Sequence, residues 1–274
     1  MRAVIPAAGA GTRLAPLTDD CPKPLLPVKE GRPFLHYVLD ALWRSGVVDE
    51  VIIGSSLPEE PWLAATHYAA SAYPQMPVHI QPCPPCDFPG SGAVVAECAP
   101  HRGRDVLSVM GDTVPDPRTI HALAALPPGV AAVAVTPVDD PHRHLPVQVR
   151  RAVYHSRIEA FGKLEQVATI AAGDPFGPQL YRVKRISREW PNGRPAFVDA
   201  GAHRVTPAVL EALLEIQLPP NPAEGEVGVM DGLIARFNAS DDIAAVRNPG
   251  EWLQIGDHEG VPGFERVCAL LEEE

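Results

Sequence analysis

Two cations and a carboxylate stand where this chain has reason to bend. Arg13 follows a run of small residues, Ala7-Ala8-Gly9-Ala10-Gly11-Thr12, and Lys23 follows inside a proline-rich stretch. An apolar run at 3–5 reads as a buried strand that empties into the small-residue loop. Small residues let a backbone approach a ligand closely, and successive loop N–H groups can form a nest for anions. Strand, loop and cations together point to a phosphate site; a tight turn with solvated charges is the competing reading. Asp112, in Val109-Met110-Gly111-Asp112-Thr113, ends another apolar run and could hold Mg²⁺ against nucleotide phosphates, although Gly-Asp also forms plain turns.

Two familiar phosphate loops fail residue by residue. A dinucleotide fingerprint needs a third glycine three positions after Gly11, where Leu14 stands, and no Gly-Lys-Ser/Thr follows as a Walker A loop requires.

The elements that must position these groups alternate. Apolar spacing predicts a helix over 33–45 stopped by Gly46, a strand over 47–54, a helix over 59–73 and a short strand over 78–80. A helix over 92–98, a strand over 105–110, a helix over 119–126 and a strand over 130–135 follow. This pattern predicts an α/β fold: a Rossmann-like, mixed, mostly parallel sheet flanked by helices, with its ligand crevice beyond the carboxyl ends of strands. Beyond 137 the pattern loosens into strands at 147–155, 180–186 and 196–205. Helices are expected at 207–216 and 228–237, strands at 243–246 and 252–255, and a last helix at 258–271. The expectation is a single domain over 1–274, with a part over about 1–137 that holds the phosphate site and a C-terminal part over about 138–274.

Composition narrows the partners. A formal charge of −11 over 274 residues argues against a broad nucleic-acid surface while allowing a small basic pocket. No uninterrupted apolar segment suits a membrane span, and Met1-Arg2-Ala3 leads directly into a strand without a signal-peptide pattern, so a cytoplasmic location is expected. Five cysteines do not suggest a disulfide scaffold, and the 32 prolines, dispersed among apolar segments, read as rigid loops. Oligomeric state is not legible from sequence.

The opening stretch resembles the signature of the sugar-1-phosphate nucleotidylyltransferases, the enzymes that make nucleoside diphosphate sugars; glucose-1-phosphate thymidylyl- and uridylyltransferases and mannose-1-phosphate guanylyltransferases are among them. Their pattern G-x-G-T-R-L-x-P-L-T, then P-K-P-L-x-P-V, stands here from Gly9 to Thr18 and from Pro22 to Val28. The resemblance implies conversion of a sugar 1-phosphate and an NTP into an NDP-sugar and pyrophosphate, with Mg²⁺ as cofactor. It implies nucleotide contacts from Ala8, Gly9, Gly11, Thr12 and Arg13, pyrophosphate departure assisted by Arg13, phosphate contact by Lys23, and a magnesium ligand in Asp112. Gln81, followed by the Gly-rich entrance at Gly90, matches the base-contacting glutamine of pyrimidine-using members and tilts the base toward uracil or thymine.

Toward the C-terminus the resemblance thins. Lys163, in Phe161-Gly162-Lys163-Leu164, keeps the lysine of Phe-x-Glu-Lys-Pro that reaches the sugar phosphate but loses its glutamate and proline. Asp199-Ala200-Gly201 stands for an Asn-Ala-Gly that lines the sugar pocket, and an ionised Asp accepts hydrogen bonds without donating. Where Trp-x-Asp-x-Gly supplies a second metal carboxylate, this chain reads Trp252-Leu253-Gln254-Ile255-Gly256-Asp257. Gln254 offers a neutral carbonyl; Asp257 could replace it or cap the last helix. These departures keep two alternatives open: an unusual cyclitol, heptose or non-sugar alcohol phosphate as acceptor, or a nucleotide-sugar-binding regulatory homologue without turnover. Cys83-Pro84-Pro85-Cys86 reads as an ordinary loop rather than a zinc site completed by His79, Cys98 or His101, and His142 and His144 as part of an exposed turn.

Overall fold

The computed structural model describes residues 1–9, 11–56, 60–83, 90–99, 103–137, 160–161, 164–169, 179–183, 186–187, 197–216, 227–239, 241, 243–249, 253–255 and 261–273. Strand β1 (Arg2–Pro6) is apolar on both faces because it is buried on both: Ala3 and Ile5 enter one core, Val4 the other. Helix α1 (Phe34–Arg44) buries Phe34, Leu35, Val38, Leu39 and Leu42 along one stripe and stops at Gly46, whose φ of 69° suits the left-handed turn. Strand β2 (Glu50–Ser55), helix α2 (Leu63–Ala72) and strand β3 (Val78–Pro82) follow. Helix α3 (Ser91–Cys98), strands β4 (Val106–Val109) and β5 (Thr113–Val114), helix α4 (Pro117–Ala125) and strand β6 (Ala131–Pro137) complete the first half. Asp116 starts α4 two residues ahead of the expected boundary, its carboxylate accepting the Arg118 N–H at 2.8 Å with Pro117 at the first helical position.

The second half adds β7 (Ala160–Phe161), β8 (Leu164–Thr169), β9 (Gln179–Val183), β10 (Ile186–Ser187) and the long β11 (Phe197–Val205). Helices α5 (Pro207–Glu215) and α6 (Val229–Asn238), strands β12 (Ile243–Arg247) and β13 (Leu253–Gln254), and helix α7 (Val261–Glu273) follow. The expected strand at 147–155 lies outside the described residues. The two-residue strands β5, β7 and β10 carry too few side chains for a periodicity to reveal.

The main sheet runs β3-β2-β1-β4-β11-β6-β12-β9-β8. Strands β3, β2, β1 and β4 are mutually parallel, as are β6 and β12, while β11 wedges between β4 and β6 antiparallel to both. Helices α1, α2 and α4 pack on the face of Ala3 and Ile5; α3, α5 and α6 pack on the face of Val4. The fold is thus the expected Rossmann-like mixed sheet flanked by helices. Because β2 and β4 lie on opposite sides of β1, the chain reverses direction across the sheet at the carboxyl end of β1, the topological switch point. No helix among the described residues is long and apolar enough to cross a membrane.

Candidate functional site

The loop leaving β1 is folded back on itself by a glycine requirement at Gly11 and one hydroxyl. Gly11 takes φ 66°, and a Cβ there would stand 3.0 Å from Thr18 Cγ2 and 3.3 Å from Lys23 Cβ. Thr18 Oγ1 donates to the Gly11 carbonyl at 2.9 Å, and Leu14, fully buried, anchors the turn from beneath. The backbone of 12–14 is thereby held at the crevice with Thr12 and Arg13 exposed. Ser56, just past β2, donates from Oγ to the Ala8 carbonyl at 2.9 Å.

Lys23 and Asp112, 89 residues apart in sequence, form an ion pair between Nζ and Oδ2, with side chains 17% and 16% exposed. It joins the loop after β1 to the loop after β4. Gly111 makes this approach possible: a Cβ there would lie 3.2 Å from both Ile5 Cγ2 and Pro24 Cγ. Gln81 aligns with Gly54 of β2, which aligns with Pro6 of β1, so the three form one row across the strand ends. Its amide Nε2 donates to the Glu97 carbonyl at 3.4 Å.

The distant C-terminal residues come to the same place. β13 pairs with β5 so that Gln254 stands opposite Thr113, and the Ile255 N–H donates to the Asp112 carbonyl at 2.9 Å. Gly201, at φ 76°, packs so closely that a Cβ would sit 2.9 Å from Thr113 Oγ1, and its carbonyl accepts from the Met110 N–H at 2.8 Å. Asp199 then reaches in from β11. Its Oδ1 accepts the Gly201 N–H at 2.8 Å, and its Oδ2 lies 3.0 Å from His203 Nε2. Thus Asp112, Gln254 and Gly201 surround Thr113, with Lys23 tied to Asp112 and Asp199 to Gly201. Lys163 and Asp257 lie outside the described residues.

The structure gives Gly90 a packing reason. At φ 103°, a Cβ there would stand 2.5 Å from the Val227 carbonyl oxygen, and the Gly92 N–H donates to that carbonyl at 2.8 Å. The start of α3 is therefore clamped against the segment before α6. Of the cysteine pair at 83 and 86, Cys86 is outside the described residues. Cys83 is buried with its sulfur 3.5 Å from Cys98 Sγ. That contact pushes the Cys83 thiol down, while the same contact and burial push the Cys98 thiol up. Among the described residues no three His, Cys, Asp or Glu side chains group as a metal cage.

Sequence reasoning missed His203 and Thr113. Residues four apart on a regular strand stand about 13 Å apart; Asp199 and His203 meet because β11 is irregular between them, with Gly201 at φ 76°. Thr113 is legible only once β5 and β13 are known to pair.

Known proteins fit this geometry. A CMP-5'-(3-aminopropyl)phosphonate synthase of Streptomyces rubellomurinus is 33% identical over 138 residues, 50% of this chain and 21% of that protein. A probable mannose-1-phosphate guanylyltransferase 2 of Arabidopsis thaliana is 25% identical over 262 residues, 93% of this chain and 62% of that protein. This chain thus spans less than two thirds of either relative's length. In fold it is similar to UDP-glucose pyrophosphorylase complexed with UDP-glucose, at TM-score 0.70 and 16% identity, covering 99% of this chain and 98% of that one. The MobA-like NTP transferase domain matches residues 3–174, more than half of the chain and all of the strand-end loops from Ala7 to Asp112, and the chain belongs to that family of nucleotidyltransferases.

Proposed function

We propose that the protein transfers a nucleotidyl group from an NTP to a sugar 1-phosphate or a related phosphorus oxyanion, releasing pyrophosphate. The observation that carries this reading is the Lys23–Asp112 ion pair bridging the loops after β1 and β4 at the switch point. An oxygen of the acceptor phosphate attacks the α-phosphorus in line; the bond from that phosphorus to the bridging oxygen breaks, and pyrophosphate leaves with the electron pair. No protein nucleophile is needed, so positioning and charge stabilisation carry the rate. Thr12 and the N–H groups of Ala8, Gly9 and Gly11 cradle the triphosphate, and Arg13, exposed at its rim, supports the departing pyrophosphate with its planar fork. Lys23 contacts phosphate, and Gln81, with the Gly90 entrance beyond it, contacts a pyrimidine base. Lys163, Asp199 and Gly201 serve the acceptor.

The donor set around Asp112 fits Mg²⁺ in one respect: this ion keeps several waters and takes one or two carboxylates plus substrate phosphates, so it needs no full protein cage. Asp112 would hold it, with Gln254 beside it across the β5–β13 pair and Asp257 as the other candidate ligand. Bound there with the nucleotide, Mg²⁺ would neutralise charge on the phosphate oxygens. Lys23 engages Asp112 Oδ2, and an incoming triphosphate offers Lys23 a stronger anion, which frees that oxygen for the cation.

The test is pyrophosphate release across the four NTPs with glucose 1-phosphate, mannose 1-phosphate, inositol 1-phosphate and 3-aminopropylphosphonate, with and without Mg²⁺. Turnover that requires Mg²⁺ and falls in Asp112→Asn is expected. Tight NTP binding with no release for any acceptor would favour the second reading, a binding homologue without turnover, to which the neutral Gln254 lends support.

A further inference from the structure

Asp199 is held more firmly than acceptor contact alone requires. Both oxygens have donors: the Gly201 N–H at 2.8 Å on Oδ1 and His203 Nε2 at 3.0 Å on Oδ2. The His203 side chain is 2% exposed, whereas that of Asp199 keeps 20% of its surface open. His203 Nδ1 is buried and has no hydrogen-bond partner among the described residues. With its proton on Nε2, the ring leaves only a lone pair unmet at Nδ1. Asp199 is therefore a carboxylate with both oxygens held in place and part of its surface open.

Among the described residues, two nearby cations are committed elsewhere. Lys23 is paired with Asp112. Arg204, next in sequence to His203, points to the opposite face of the sheet, where Asp105 and the carbonyls of Leu123, Ala124 and Leu126 hold it. A hydroxyl-only acceptor would offer the Asp199 carboxylate no opposite charge as water leaves the pocket. An ammonium group would meet it with a charge-assisted hydrogen bond.

We propose that Asp199 selects an acceptor bearing a cationic nitrogen as well as its phosphate or phosphonate, and that His203 is the positioning residue that holds the carboxylate for it. This rests on the nucleotidyl-transfer reading above. The Asp in place of an acceptor-lining Asn is then a specificity change rather than a drift.

Matched probes test the charge alone. Calorimetric binding of 2-aminoethylphosphonate and 2-hydroxyethylphosphonate, and of glucosamine 1-phosphate and glucose 1-phosphate, is measured with Mg²⁺ and an α,β-methylene NTP that cannot react. At least tenfold tighter binding of the amine member is expected in one pair; which pair shows it distinguishes an alkyl from a sugar acceptor. Asp199→Asn, nearly isosteric, should erase the preference. His203→Leu should reduce the ratio of hydroxyl-probe to amine-probe Kd, and His203→Gln, which restores a donor near the place of Nε2, should recover most of it. Equal binding within both pairs, binding of no probe, or a preference that survives Asp199→Asn overturns the proposal. Pyrophosphate release with the reactive NTP is read separately: an amine preference in binding without release would sink the transfer reading and leave the charge selection standing.

Discussion

The two ends of the crevice, which we propose hold the nucleotide and the acceptor, are assembled by different means. At the nucleotide end, the turn from Gly11 to Thr18 and the 23–25 turn follow one another within a single short stretch. Local requirements at Gly11, Leu14 and Thr18 set their shape, and parallel strands support them. The acceptor end is brought in by the antiparallel β11, which comes from far along the chain and is fastened by side-chain charge away from the crevice, beside the amino end of β4. Arg204, 4% exposed, pairs with Asp105 at 2.7 Å across 99 residues and also donates to carbonyls at the end of α4, where the helix dipole favours a cation. Local backbone geometry tolerates solvent and salt; a buried charge pair placed by tertiary contact does not tolerate losing one member.

The largest expected effect follows from that contrast. Arg204→Ala leaves Asp105, whose side chain is 9% exposed, without its partner, and should cost about 3–5 kcal/mol in urea unfolding. A loss below about 1 kcal/mol, the scale of an exposed pair, would break the claim that charge fastens β11. At the nucleotide end the loss should appear in rate. Lys23→Met should lower kcat/KM for pyrophosphate release by about 10²–10³-fold, the scale of one preorganised donor at a developing charge. Combined with Asp112→Asn the losses should not add, because both act in one ion pair. Additive losses would mean that Lys23 and Asp112 serve separate steps.

Legibility divides along the same line. The opening loop could be read because its signals are adjacent: glycines, hydroxyls and cations within one stretch, followed by helices and strands whose apolar spacing fixed most of their positions. The ion pair of Lys23 with Asp112 was half legible, since both were expected near the nucleotide phosphates but not in contact with each other. The wedging of β11 between β4 and β6 was not legible, because strand periodicity tells which face is buried and not which neighbour is paired. Neither was the Arg204–Asp105 bond, which exists only through that pairing. The position of Gln254 came from resemblance, and β13 pairing with β5 is what brings it opposite Thr113.

Gln254 offers a smaller and sharper test of the comparison. Gln254→Asp would add a carboxylate beside Asp112 and should tighten the Mg²⁺ requirement roughly tenfold, about 1.4 kcal/mol. The readout is the Mg²⁺ concentration at half-maximal pyrophosphate release. An unchanged requirement would mean that residue 254 does not face the metal and that the acceptor end differs from its relatives in the acceptor alone.

The smallest effect concerns pH and lies behind the nucleotide end. His36, on α1, is buried, and its ring stacks on Tyr68 with centroids 3.8 Å apart and planes 11° from parallel. Burial first, and then the nearby Arg32 charge, push it down from 6.5 to about 4, against a weaker upward pull from Asp40. The folded state therefore binds fewer protons than the unfolded chain between these values. His36 contributes its full stability above pH 6.5, and that contribution drains away as pH falls through 4. His36→Phe keeps an aromatic stack and removes the titration, so its unfolding free energy should depend less steeply on pH between 6.5 and 4 than that of the natural chain. Parallel slopes would place the acid sensitivity elsewhere. A flattened slope would show that the nucleotide end, whose crevice loops are shaped by local backbone geometry, depends in its supporting layer on a buried ring staying neutral.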